Sequence, residues 1–250
     1  MAGHSKWANI RHKKGAADAK RGKVFSKVAK EITVSVRIGG PDPDSNPRLR
    51  AAIALGRSSN MPNDNVTRAI KKGTGDLTGA IPEDLSYEGY AVEGVAILVD
   101  CLADNRNRAA TDIKIVFNRN NGSLGNAGTV SWMFERKAQF IIEGENADEE
   151  ILMDIVLDAG AEDINVEDGI AEVLGHPNCL EPVSKALEEA GIEVSSATIS
   201  KLPDTTVLIE DLACLKQILG LIDALENNDD VQHVYSNYEA SEELMAQAME

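Results

Sequence analysis

The chain has 250 residues, 43% hydrophobic but only 4% aromatic, with a formal charge of −16 and a pI near 4.7. That length suggests one to three domains, and the acidity taken whole argues against a nucleic-acid partner. No apolar run reaches the roughly 18 residues of a membrane helix, Met1–Trp7 has no secretory h-region, and Cys101, Cys179 and Cys214 are too scattered for a disulfide framework or a CxxC zinc site, so a reduced, soluble, cytoplasmic protein with buried thiols is expected.

The charge is unevenly distributed along the chain. Residues 1–75 hold 16 Lys/Arg against 5 Asp/Glu, a net of +11, while residues 76–250 hold 9 against 36, a net of −27. Such asymmetry marks a basic segment that faces nucleic acid. With a Debye length of about 8 Å at physiological salt, an acidic body tens of ångströms away would not silence it. If the basic face pairs instead with acidic segments of the same chain, the split is internal.

Residues 1–15 read as a mobile arm in which Lys6, Arg11, Lys13 and Lys14 surround Trp7. A helix is expected over 16–37, because Phe25, Val28, Ala29, Ile32 and Val36 fall on one face of a 3.6-residue repeat, leaving Lys20, Arg21, Lys23, Lys27 and Lys30 mostly off it. Asn46-Pro47 supplies an N-cap and an N1 proline for a second helix, with Arg48, Arg50 and Arg57 outward. Met61-Pro62 opens a third, with Val66 and Ile70 inward, Arg68, Lys71 and Lys72 outward, and Gly73 as its stop. Residues 73–84 are Gly-, Thr- and Pro-punctuated and form the boundary.

Beyond it strands alternate with helices. Strands are expected at 94–102, 129–134, 138–143, 164–167, 170–174, 194–202 and 231–235, and helices from Asp104 or Asn105 to about 120, then at 148–159, 177–190 and 212–225. Asp168-Gly169 is a two-residue hairpin turn. The fold class is therefore multidomain α and α+β: a helical N-terminal domain followed by two ferredoxin-like α+β domains, one inserted in the other. The boundaries are 1–75 for the basic arm and three-helix domain, 76–135 plus 203–240 for a split α+β domain, and 136–202 for the inserted one.

Enzyme chemistry finds little support. The Gly-containing stretches at 73–75 and 122–128 match no phosphate-loop spacing, and His4 and His12 lie in the arm while His176 and His233 lie in separate elements. The pairs Glu149/Glu150, Glu188/Glu189 and Asp229/Asp230 read as solvated faces. No cofactor or metal is expected. Asp104-Asn105-Arg106-Asn107-Arg108 admits two readings: Arg106 and Arg108 meet an anion at a helix start, or Asp104 caps the helix and the arginines pair with acids. For the basic end, cations neutralise phosphates and Trp7 either stacks on a base or packs inward. The expected nucleic-acid contacts are Lys6, Trp7, Arg11, Lys13, Lys14, Lys20, Arg21, Lys23 and Lys27, with Arg48, Arg68, Lys71 and Lys72 secondary. None of them spells a base-reading code, so charge favours DNA and structured RNA equally.

The stretches Met1–Lys30, Asp42–Ala52, Tyr87–Tyr90 and Cys101–Arg108 closely resemble the YebC family, whose relatives include PmpR-type bacterial regulators and a mitochondrial translational activator of cytochrome c oxidase. The resemblance runs nearly end to end. It implies a helical N-terminal domain with two α+β domains, no enzymatic activity, no cofactor, and a cytoplasmic, DNA-binding transcriptional regulator. The alternative it also implies is a ribosome-associated translation factor that binds ribosomal RNA; an enzyme without a recognisable motif is the distant third. The acidic α+β domains would meet a protein partner, and no membrane is involved.

Overall fold

The computed structural model describes residues 17–167 and 169–249, with side-chain surroundings from residue 22 onward. The expected contacts Lys6, Trp7, Arg11, Lys13 and Lys14, with the rest of the arm, lie outside the described residues, as do Asp168 of the hairpin turn and the side chains of Lys20 and Arg21. The chain forms two compact units. Of the described residues, one comprises 17–131 and 213–236, and the other 132–212 and 237–249.

In the first unit, α1 (Ala17–Gly39), α2 (Pro47–Ser58) and α3 (Asn63–Thr74) form a helical bundle. Its core is the predicted stripe of Val28, Ile32 and Val36 on Leu49, Ala52, Met61 and Ala69, with Phe25 and Ala29 at its edge. Asn46 caps α2, its side-chain oxygen accepting from the Leu49 N–H at 3.1 Å, while its amide donates to the Ser35 and Gly40 carbonyls at 2.8 and 2.9 Å. Gly73 is not the stop of α3. It lies within the helix at a close contact with α1, where a Cβ would come within 2.7 Å of the Thr33 carbonyl oxygen and the Val36 side chain. The stop is Gly75, whose φ of 92° is the left-handed conformation of a C-cap.

Strands β1 (Glu83–Tyr90) and β2 (Ala96–Ala103) pair antiparallel over eight residues. They are followed by α4 (Arg106–Arg119) and the short β3 (Ser123–Leu124). A strand from late in the chain completes the sheet.

The chain then enters the second unit, where β4 (Phe134–Glu143), α5 (Glu149–Val156), β5 (Ala161–Glu167), β6 (Ile170–Gly175), α6 (Leu180–Glu189) and β7 (Val194–Pro203) follow in turn. Its sheet has the order β5-β6-β4-β7 with every pair antiparallel, which is the ferredoxin-like connectivity. Phe140, Ile142, Leu152, Val156, Val173 and Val183 close its core. The strand β8 (Val207–Leu208) pairs parallel with β10 (Tyr238–Glu239), ahead of the C-terminal α8 (Glu242–Met249). Between these two strands the chain revisits the first unit as α7 (Leu212–Glu226) and β9 (Val231–Ser236), which gives that unit the sheet order β3-β1-β2-β9. The protein is thus a multidomain α+β chain, interrupted and resumed.

Two strand readings need correcting. Residues 129–133 form no strand: Ser131–Met133 is a 3₁₀ turn, and a single strand β4 runs unbroken through the polar Glu135-Arg136-Lys137 because β7 pairs with all of it. β1 is not among the expected strands and has only a faint sequence signature: in Glu83–Tyr90 just Leu85 and Tyr87 alternate with polar residues, and the strand buries only Glu88 and Gly89.

A buried carboxylate fixes that strand. Glu88, 6% exposed, accepts from the backbone N–H groups of Gly128, Val130 and Ser131 at 2.8, 2.7 and 2.8 Å. Burial pushes its pKa up, and the three backbone donors more than offset this, holding it below the usual carboxylate value.

Candidate nucleic-acid interface

The cations of the first unit divide by direction. On α1, three successive lysines one turn apart point at the end of α7. Lys23 Nζ donates to the Asn227 carbonyl at 3.0 Å, Lys27 to the Glu226 carbonyl at 3.0 Å, and Lys30 to the Asp229 carbonyl at 2.8 Å and the Asp230 carboxylate at 2.6 Å. The last carbonyls of a helix lack intrahelical donors and carry the negative end of its dipole, so ammonium groups there are stabilising. Burial drives the Lys27 pKa down, with the Glu226 charge opposing it. Lys23 and Lys27, expected among the phosphate contacts, therefore have partners inside the molecule.

Asp230 is the centre of this contact. It is 5% exposed rather than part of a solvated face, and it takes Lys30 on one oxygen and Arg108 on the other at 2.9 Å. Burial raises its pKa, but the Lys30 and Arg108 hydrogen bonds outweigh that and leave it lowered. Arg108 also reaches Asp104 at 2.8 Å. Asn105 caps α4, accepting from the Asn107 and Arg108 N–H groups at 3.1 Å, so the amides at the helix start are already used. Of the two readings of this stretch, internal pairing describes Arg108. Arg106 is exposed, with no carboxylate partner among the described residues.

Arg48 is likewise occupied. It holds Glu31 at 2.6 Å and Asp84 at 2.9 Å, and the Glu31 hydrogen bond raises its pKa despite partial burial. It joins α1 and α2 to the start of β1.

What remains outward is a second set. Arg68 and Lys71 are exposed and Lys72 half-buried, at i, i+3 and i+4 on α3, so they share a helix face. Arg37 and Arg57 are exposed as well. None of these five has a carboxylate partner among the described residues. Beside Arg68 and Lys72 a groove of ≈ 300 Å³ lies between α1 and α3, with Phe25, Ala29 and the paired Lys30 on one side, Asn65, Arg68 and Lys72 on the other, and Met61 among its lining. The Asn65 side-chain amide makes no hydrogen bond within the described residues. Nothing in the sequence marks Asn65, since a lone polar residue on the first turn of a helix is commonplace.

Other chemistry-bearing residues have local roles. His176 Nδ1 accepts from the Asn178 N–H at 3.3 Å, and His233 stacks on Tyr235 with centroids 6.0 Å apart. Cys101 is buried and its thiol pushed up to about 12 by burial; Cys179 is also buried, while Cys214 is half-exposed, its Sγ 3.8 Å from a Glu93 carboxylate oxygen. Among the described residues no group of three or more His, Cys, Asp and Glu is placed to hold a metal ion, and no helix is long and apolar enough to cross a membrane. Trp132, 69% exposed in the Ser131–Met133 turn, is an exposed aromatic that sequence reading missed.

Residues 5–76 match the family described as the TACO1/YebC protein N-terminal domain, and residues 82–238 match the TACO1/YebC second and third domain. A probable transcriptional regulatory protein of Desulfotalea psychrophila is 51% identical over 250 residues, covering 100% of both chains. One of Treponema pallidum is 52% identical over 245 residues, covering 98% of this chain and 100% of its own. The crystal structure of a conserved hypothetical protein, Aq1575, from Aquifex aeolicus superposes with a TM-score of 0.82 at 42% identity, covering 91% of this chain and 93% of that one.

Proposed function

The chain belongs to the TACO1/YebC family, and on that premise we propose that it is a non-enzymatic, nucleic-acid-binding regulator of gene expression that acts on transcription. The observation that carries the binding is the set of cations left outward once the internal pairs are made: Arg37, Arg57, Arg68, Lys71 and Lys72. Exposed cations without a carboxylate partner among the described residues can bind phosphates by releasing counterions. The choice of transcription rests on the relatives, which are called probable transcriptional regulatory proteins. The arm cations Lys6, Arg11, Lys13 and Lys14 are further phosphate contacts in this reading, and the acidic α+β regions are left to meet a protein partner. The division into 1–75, 76–135 with 203–240, and 136–202 is retained as the functional one.

A second reading, an RNA-binding translation factor in the cytoplasm, is favoured by one observation. The outward cations are spread over three helices rather than gathered on a single recognition helix. Crosslinking in cells, followed by immunoprecipitation and sequencing of both bound DNA and bound RNA, separates the two. Enrichment of segments upstream of genes supports transcriptional action, enrichment of ribosomal RNA supports the second reading, and neither overturns both.

A further inference from the structure

Two of the outward cations, Arg68 and Lys72, border a feature that counterion release alone does not need. The α1–α3 groove combines three chemistries within one small volume. Phe25, Ala29 and Met61 offer apolar surface, the Asn65 amide offers a donor and an acceptor without a partner among the described residues, and Arg68 and Lys72 place positive charge at its edge. Its ≈ 300 Å³ is at the small end of the ~300–1,000 Å³ typical of small-molecule sites, too little for a duplex or a helix. The walls are fixed. Gly73 brings the helices together, and the Thr33 hydroxyl lies 2.8 Å from the Ala29 carbonyl and 3.3 Å from the Ala69 carbonyl, tying one helix to the other.

Resting on the reading of the protein as a nucleic-acid binder, we propose that this groove takes one unstacked nucleobase of a single strand, with Asn65 on the base edge and the flanking phosphate on Arg68 and Lys72. A planar base with a polar edge fits an apolar slot that carries one amide. The adjoining charge selects a ligand that brings its own anion. Bases inside a duplex cannot enter, so the groove selects single-stranded segments over paired ones. DNA and RNA share this chemistry, and the comparison of sugars decides between them.

The test uses the full chain with short single strands of one sequence as RNA and as DNA, each carrying one photoreactive thio-pyrimidine, beside the matching duplex. The expected result is crosslinking to the peptides that contain Phe25 and Met61. In addition, Asn65→Leu should weaken single-strand binding roughly 5- to 20-fold while duplex binding and the thermal midpoint hold. Asn65→Asp, which keeps the size and adds a repelling charge, should weaken it at least as much. A stronger response from the RNA or the DNA strand names the source. Crosslinks confined to other peptides, or equal affinity of the intact strand and one with abasic positions, would overturn the groove while leaving the nucleic-acid reading in place. Failure of wild type to bind any of the three probes would overturn that reading first, and the groove with it.

Discussion

Helices α1 and α3 both carry Lys and Arg at helical spacing, yet their cations do opposite things. Lys23, Lys27 and Lys30 spend their charge on the carbonyls and carboxylate that end α7, while Arg68, Lys71 and Lys72 meet no carboxylate among the described residues. The difference is one of neighbours rather than of residue type. The end of a helix, with its free carbonyls and Asp230, is a local sink for positive charge. Consequently the local excess of +11 overstates what is available to an external partner.

This contrast can be broken most forcefully at Asp230. Asp230→Ala leaves Lys30 and Arg108 without their shared carboxylate and should destabilise the protein by about 2–3 kcal/mol, read as a lower urea midpoint with an unchanged slope. An effect under ~0.5 kcal/mol would mean that the inward set is ornamental. Acid should act in the same direction. Asp230 and Glu88 both have lowered pKa values in the fold, so their stabilisation is present above the unfolded values of about 3.9 and 4.3 and is lost as pH falls through the folded ones. Stability measured across pH 3–7 should therefore drop below about pH 4, and Asp230→Asn should flatten that limb.

Smaller changes sharpen the comparison. Replacing Lys23 and Lys27 together by Ala removes two donors from the end of α7 and should cost about 1 kcal/mol by chemical denaturation. The same treatment of Arg68 and Lys71, both exposed, should change stability by no more than ~0.5 kcal/mol. The prediction fails if the second pair costs more than the first.

Local features of the fold could be read from the chain. The Phe25–Val36 stripe, the Asn46-Pro47 helix start and the strand–helix alternation all depend on residues within a turn or two of one another. β1 could not be read, because Glu83–Tyr90 owes its conformation to eight pairs with β2 and to a carboxylate that closes on residues 128–131. Gly73 was misread for a similar reason. A glycine near a helix end signals a stop, whereas here it permits contact with α1, and Gly75 makes the turn. The site was legible as charge but not as direction. Lys23 and its acceptor at Asn227 are 204 residues apart, and no pattern along the chain links them.

The most direct measurement of the division into inward and outward cations is the salt dependence of nucleic-acid affinity for wild type, Lys23→Ala/Lys27→Ala and Arg68→Ala/Lys71→Ala/Lys72→Ala. Each lost phosphate contact shallows the slope of log K against log salt by about 0.9 on duplex DNA. The outward variant should therefore lose about 2–3 from the slope, and the inward variant should keep the wild-type value. A slope that falls with the inward variant and holds with the outward one would contradict the account.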